Sequence, residues 1–308
     1  MKNPILLVVG SINMDIFTYV ENRPKPGETL KSTRVMYCSG GKGANQAVAA
    51  SLSGGNVYML GAVGNDPFRE SLLQSLKENL VNIDNVIEKE TNSGLAFITV
   101  DKQGENHIIL SEGANGLMAK RDIEELLLKS VTPSAVLLQN EIPWETIRYV
   151  MELAKEKNIP VYYNAAPAEK ISEEVFPLIH TLILNEVELS TLTGIMFEKE
   201  TDIAHGLDQL INHGIEEVIV TLGKKGSYYK NATGKSIFTP AYKVVSVDTT
   251  AAGDTFVGSL VSKRLLNHSI EDSLQFATAA SAITVTRYGA QESIPSKMEI
   301  EDFLSGNK

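Results

Sequence analysis

Short runs of Val, Ile and Leu alternate along this chain with longer stretches in which apolar residues recur every three or four positions. Ile5 to Val9, Val57 to Leu60, Ala135 to Leu138, Val161 to Tyr163, Leu182 to Leu184 and Val218 to Leu222 are continuous enough to be strands covered on both faces. Phe68 to Leu76, Trp144 to Ala154 and Val187 to Leu192 have helical spacing. That order predicts an α/β fold with a mostly parallel central sheet flanked by helices. Two regions break the alternation: Phe17 to Tyr37 and Gly94 to Leu110 have strand character with no helix between. In the second, Ala96, Ile98 and Val100 alternate, and a turn at Gln103-Gly104-Glu105 leads back through Ile108 and Leu110. They form either a small separate β layer or edge hairpins of the main sheet.

With 308 residues, 43% of them hydrophobic and 21% charged, the chain can build one large α/β unit with a substantial core. A formal charge of −10 argues against a general nucleic-acid or acidic-membrane surface. Cys38 is the only cysteine, so it forms no intrachain disulfide or cysteine-cluster metal site, and packing is its expected role. Ile5 to Val9 is too short for a signal sequence and lacks a cleavage pattern. No later stretch approaches the ~20 apolar residues that span a bilayer, so a cytoplasmic protein is expected.

The chemistry is concentrated at Asp248-Thr249-Thr250-Ala251-Ala252-Gly253-Asp254-Thr255-Phe256. Lys243 to Val247 before it has strand character, and Phe256, Val257, Leu260, Val261, Leu265 and Leu266 recur at helical spacing after it. Ala251, Ala252 and Gly253 therefore fall at a helix start, where backbone N–H groups lack intrahelical partners and small side chains let an anion approach. Asp254 beside such an anion hole suits a base for a hydroxyl attacking a phosphate; it is equally an acid favoured by the helix dipole. A second small-residue segment, Ser39-Gly40-Gly41-Lys42-Gly43-Ala44-Asn45-Gln46, also opens a helical pattern. After the first strand, Asn13 and Asp15 share one face of an extended end, a donor-acceptor pair suited to vicinal sugar hydroxyls or an ordinary turn. Glu141, in Gln139-Asn140-Glu141, ends another strand, where α/β ligand sites gather, or simply starts a helix.

Competing motifs fail on spacing. Gly234-Lys235-Ser236 resembles the end of a P-loop, but Tyr229 stands where its first glycine belongs, and Asn231 to Gly234 reads as a hairpin turn. Gly10-Ser11-Ile12-Asn13 lacks the dinucleotide fingerprint. His107, His180, His205, His213 and His268 have no metal-ligand spacing.

Taken in order, these segments resemble the ribokinase-like (PfkB) carbohydrate kinases over nearly the whole chain. Gly113-Ala114-Asn115, Asn164-Ala165-Ala166-Pro167-Ala168, Asn185-Glu186-Val187-Glu188, Thr221-Leu222-Gly223-Lys224-Lys225-Gly226 and Thr286-Arg287-Tyr288-Gly289-Ala290-Gln291 extend the match. Ala165 replaces the family's usual Pro, and Ser259 follows Gly258 where Ala or Gly is preferred. The resemblance implies a core of residues 1–14, 38–92 and 112–308, with a β lid of residues 15–37 and 93–111 over a sugar site. Such lids often mediate homodimers.

The implied reaction is ATP-dependent phosphorylation of a pentose primary hydroxyl, converting D-ribose to D-ribose 5-phosphate. Deoxyribose, fructose or adenosine as acceptor, or a non-catalytic sugar sensor, are the alternatives. Asp254 would be the base, with Ala251, Ala252 and Gly253 as the anion hole. Sugar contacts carried over are Asn13, Met14, Asp15, Gly41, Lys42, Gly43, Ala44, Asn45 and Glu141. Nucleotide contacts are Asn185, Glu188, Thr221, Leu222, Gly223, Lys224, Lys225, Gly226 and Thr278, besides Gly253 and Asp254. Asn185 and Glu188 would organise Mg²⁺ through water, although most Asn-x-x-Glu strings are helix caps. A K⁺ site is implied at Asp248, Thr250, Thr284, Arg287, Gly289 and Ser293.

Overall fold

The computed structural model of the chain describes residues 3–103, 106–127, 132–197 and 200–307. Gly104 and Glu105 of the expected turn lie outside them. The strands are β1 (Ile5–Val9), β2 (Asn13–Val20), β3 (Arg34–Gly40), β4 (Asn56–Leu60), β5 (Ala62–Gly64), β6 (Ile87–Lys89), β7 (Gly94–Asp101), β8 (Asn106–Ser111), β9 (Ala135–Leu138), β10 (Val161–Asn164), β11 (Thr181–Asn185), β12 (Glu217–Thr221), β13 (Gly226–Asn231) and β14 (Ser236–Pro240). The helices are α1 (Lys42–Leu52), α2 (Arg69–Glu78), α3 (Lys120–Leu127), α4 (Trp144–Glu156), α5 (Glu186–Thr193), α6 (Glu200–Asn212), α7 (Ala252–Leu265), α8 (Ile270–Thr284) and α9 (Lys297–Gly306). No helix among the described residues is long and apolar enough to cross a membrane.

Eight strands form the main sheet in the order β14-β13-β12-β11-β10-β9-β1-β4, parallel from β12 to β4 and closed at one edge by the antiparallel hairpin β13-β14. The apolar runs are continuous because both faces are covered. In β1, Leu6 and Val8 pack with Ala47, Val48, Val257 and Leu260, whereas Leu7 and Val9 pack with Ile147, Val150 and Met151. At ~25 cal/mol per Å² of apolar surface removed from water, this two-sided burial is the principal force holding the layers together.

The irregular regions form a separate sheet, β3-β2-β7-β8. In it β2 pairs parallel with β7, while β2-β3 and β7-β8 are antiparallel. Phe17, Cys38, Ala96 and Ile98 make its small core, with Cys38 in the packing role. Lys243 to Val247 is not a strand. It runs as largely exposed irregular chain tied to the end of α8 by Val247 N–H donating to the Val285 carbonyl at 2.8 Å; its β-branched residues have no neighbouring strand to pair with.

Helices α1 and α7 pack closely because their contact faces are small. A side chain at Gly258 would strike the Gln46 carbonyl and Ala49. Ser259 makes a buried 2.9 Å hydrogen bond with Ser53, so the departure at 259 adds a polar tie between the helices. This approach brings the side chains at the start of α1 against the start of α7.

Candidate active site

β1 lies between β9 and β4, so the chain winds outward from it in both directions, and the carboxyl ends of β1 and β9 flank a topological switch point. Gly10 to Asp15 leaves one end and Gln139 to Glu141 the other. Glu141 Oε2 accepts from Ser11 Oγ at 2.6 Å and from the Lys42 N–H at 3.1 Å, tying both ends to the first turn of α1.

Backbone polarity settles which way Asn13 faces. Asn115 Oδ1 accepts from the Ile12 N–H at 3.0 Å, and its Nδ2 donates to the Ile12 carbonyl at 3.2 Å and to Asn13 Oδ1 at 2.7 Å. Asn13 is thereby left with its amide N–H groups for another partner. Asn115 stood in the sequence only as part of a matching stretch; nothing local marks it as an orienting group.

Asp15, next but one along β2, is almost completely buried and has its pKa raised to about 7. Burial is the first cause, reinforced by the charges of Glu141 and Asp254 and opposed by Lys42. For Lys42, burial alone would lower the pKa. The carboxylates of Asp254, Glu141, Glu188 and Asp15 outweigh it and hold the ammonium above its ordinary value. Met14 and Ala44 belong to the hydrophobic core, and Gly43 packs against the backbone of Gly10 and Ser11. Gly41 lies against the backbone of residues 11–13.

Asp254 sits in the first turn of α7 and is 8% exposed. Asn45 Nδ2 donates to its Oδ2 at 3.0 Å and Gln46 Nε2 to its Oδ1 at 2.9 Å. Asn45 Oδ1 is buried and has no hydrogen-bond partner among the described residues. Ala251 caps α7 with φ 58°, a left-handed conformation that costs a non-glycine residue energy and turns the chain sharply into the helix. The Ala252 N–H makes a 3.3 Å contact with the Thr249 carbonyl. Those of Gly253 and Asp254 have no acceptor among the described residues, so the open donors lie one position later than the sequence implied.

Two cavities meet at this helix start. One, of about 190 Å³, is lined by Lys42, Asn185, Glu188, Thr221, Gly253 and Asp254 among others. A larger one, of about 700 Å³, is lined by Thr221, Gly223, Lys224, Gly226, Gly253 and Thr278 together with Tyr242, Val244, Phe256 and Val285. Tyr242 and Val244 are additions that no local signal offered. Leu222 and Lys225 do not line either. Leu222 is core, and Lys225 points to Glu186 at 3.7 Å. Asn185 and Glu188 form a reciprocal helix cap, with Asn185 Oδ1 accepting from the Val187 and Glu188 N–H groups and Glu188 accepting from Asn185 N and Nδ2. The cap also faces the smaller cavity, and burial raises the Glu188 pKa.

Asp248 joins two loops. Its Oδ1 accepts from Thr250 N at 2.9 Å and Thr250 Oγ1 at 2.7 Å, and its Oδ2 accepts from Gly289 N at 3.1 Å. Ser293 Oγ donates to the Ala290 carbonyl at 2.7 Å. The Thr284 carbonyl accepts from Arg287 N–H at 3.0 Å, and the Arg287 guanidinium points away to Glu299 at 2.6 Å. A fixed carboxylate, a pocket of charges around Lys42 and unengaged N–H donors between two cavities are the components of phosphoryl transfer to a polyol.

A family model described as pfkB family carbohydrate kinase matches residues 4–297. The chain is 39% identical over 306 residues to the ribokinase of Schizosaccharomyces pombe, covering 96% of each chain. It is 33% identical over 306 residues to the deoxyribokinase of Salmonella typhi, covering 98% of this chain and 99% of the other. The solved structure of Arabidopsis thaliana ribokinase complexed with ribose and ATP matches with a TM-score of 0.90 at 32% identity, covering 98% of this chain and 99% of that one. Ribokinase from Thermotoga maritima gives a TM-score of 0.88 at 37% identity with the same coverages.

Proposed function

The chain belongs to the pfkB family of carbohydrate kinases, and on that premise we propose that it transfers the terminal phosphoryl group of ATP to the 5-hydroxyl of D-ribose, giving D-ribose 5-phosphate and ADP. The observation that carries this reading is the position of Asp254, between the sugar-facing group of Asn13, Asp15, Lys42 and Glu141 and the cavities beyond Gly253. The buried, unpartnered Asn45 Oδ1 supports it too, because a sugar hydroxyl would supply the missing donor.

Asp254 takes the hydroxyl proton as the oxygen attacks the terminal phosphorus. The Gly253 and Asp254 N–H groups stabilise the charge on the transferred group, and the bond to the leaving ADP oxygen breaks. Lys42 offsets the carboxylates around an otherwise repulsive anionic site. Thr221, Gly223, Lys224, Gly226 and Thr278 line the larger cavity as the nucleotide side of the site.

Asn185 and Glu188 suit Mg²⁺ held through water, since the buried Glu188 carboxylate faces the cavity where phosphates would lie. Bound there, Mg²⁺ would neutralise phosphate charge. Asp248 ties the Thr250 and Gly289 loops together, and the family resemblance makes Asp248, Ser293 and the carbonyls of Thr250, Thr284, Arg287 and Gly289 the oxygen set that would hold K⁺. Turnover in K⁺ equal to that in a bulky organic cation would remove the cation site. The β3-β2-β7-β8 sheet serves as a lid and, through exposed Tyr37, Phe97, Ile108 and Ile109, as the contact between two copies. A monomeric mass in solution would remove that contact.

A coupled ATP-consumption assay across ribose, deoxyribose, fructose and adenosine tests the substrate. If Asn13 and Asp15 grip vicinal hydroxyls, deoxyribose leaves a buried polar group unmatched at ~1–3 kcal/mol, so its kcat/KM should be about 5- to 150-fold lower. Equal values would reject the grip of Asn13 and Asp15 on the 2-hydroxyl.

Asp15 also makes sugar binding pH-dependent. Its pKa is raised to about 7, so it is protonated below that pH and ionised above it. The ionised form accepts hydrogen bonds from hydroxyls through both oxygens. KM for ribose should therefore rise roughly tenfold as pH falls from about 8 to about 6. Asp15→Asn should flatten the profile while raising KM throughout, and a profile unchanged by that substitution would rule Asp15 out as the titrating group.

A further inference from the structure

We infer that Gln46 is a positioning residue for the catalytic base, through a chain of amides whose direction is dictated by one backbone carbonyl. Asn164 Nδ2 donates to the Ile183 carbonyl at 3.0 Å, and a carbonyl can only accept. Asn164 Oδ1 must then face Gln46, and it accepts from Gln46 Nε2 at 2.9 Å. The second hydrogen of that amide goes to Asp254 Oδ1 at 2.9 Å, while Gln46 Oε1 accepts from Gln139 Nε2 at 2.7 Å. All four groups are buried, with Gln46 and Gln139 fully so.

The consequence is one of polarity. A free glutamine amide can rotate and present either its oxygen or its nitrogen. Here both N–H groups and the oxygen are matched, and a flip would set oxygen against Asn164 Oδ1 and Asp254 Oδ1 and N–H groups against Gln139 Nε2. The amide is locked as a donor to Asp254. With Asn45 on Oδ2, each carboxylate oxygen has one donor, that on Oδ1 locked, and keeps lone-pair capacity for the substrate proton. The carboxylate plane is therefore set before substrate arrives, by Gln139 just after β9, Asn164 at the end of β10, and Asn45 and Gln46 in α1. Gln46 touches neither substrate in this scheme and acts only through Asp254.

The inference rests on Asp254 being the base, so the test carries Asp254→Asn as a control. Gln46→Met keeps the volume and removes the donors; Gln46→Glu keeps the shape and turns a donor into an acceptor facing two acceptors. Steady-state kinetics with ribose and ATP should give kcat roughly 10–100-fold down for Gln46→Met, with both KM values within about threefold, and a larger loss for Gln46→Glu. Calorimetric titration of ribose into each variant confirms that the site is folded. Adding Gln46→Met to Asp254→Asn should produce little further loss, since the two act as one unit. A packing role predicts the reverse ranking, with the isosteric Glu milder than Met, and that ranking overturns the inference. So does near-native kcat in a folded Gln46→Met while Asp254→Asn is inactive; an active Asp254→Asn overturns the functional reading instead.

Discussion

Asp254→Asn is expected to lose turnover while still binding ribose and ATP. The amide keeps the shape but cannot take the hydroxyl proton at neutral pH, so kcat should fall by ~10²–10⁴ while both KM values change little. The structure adds a cost that the sequence does not reveal. Both oxygens of Asp254 accept from amide donors, Asn45 Nδ2 and Gln46 Nε2, so the new NH₂ group must either oppose one of them, at ~1–3 kcal/mol that denaturant unfolding would register, or turn over Asn45, whose Oδ1 has no other partner among the described residues. Were Asp254 merely an acid favoured by the helix dipole, the substitution would leave activity intact. Near-native kcat in the folded variant would refute both the base and the phosphoryl-transfer reading built on it.

Gly253→Ala should separate activity from stability in the opposite way. Apart from its chain neighbours and its own helix backbone, a methyl group at this position meets no described protein atom within 4 Å, and Gly253 lines both cavities. The protein itself leaves room for it, and alanine is the better helix former by up to ~1 kcal/mol, so unfolding should occur at equal or higher denaturant. The room is what a phosphate would use. With the methyl group beside the open N–H donors of Gly253 and Asp254, the transferred phosphoryl group cannot approach them closely. Losing one such donor costs ~10²–10³ in kcat, and kcat/KM for ATP should fall at least as far. A Gly253→Ala enzyme as active as the parent would mean that the phosphate binds elsewhere.

The layered fold is legible in the chain because its signals are local. The six parallel strands of the main sheet announce themselves by continuous apolar runs, and α7 by the small residues and acid at its start, since strand burial and helix initiation depend on near neighbours in sequence. The same locality explains the failures. Lys243 to Val247 has strand composition but no strand beside it, and pairing is not a property of the segment itself. Leu222, Lys225, Met14 and Ala44 lie inside matching stretches, yet the fold turns them to the core or to a surface ion pair. Asn185 and Glu188 invited two readings, and the structure makes them a helix cap that also faces a cavity.

What the sequence by itself determined is the class of chemistry: a carboxylate next to an anion-binding helix start, a small-residue turn bearing Lys42, and polar residues after the first strand. What only the tertiary structure decided is the orientation and charge state of those groups. Gln46 is locked as a donor to a residue 208 positions away, and Asn13 is turned by one 102 positions away. The raised pKa of Asp15 arises from burial and from Glu141 and Asp254, which meet it only in the folded chain. Hydrogen-bond direction and desolvation depend on every group within a few ångströms, and those groups come from strands and helices that the sequence keeps far apart.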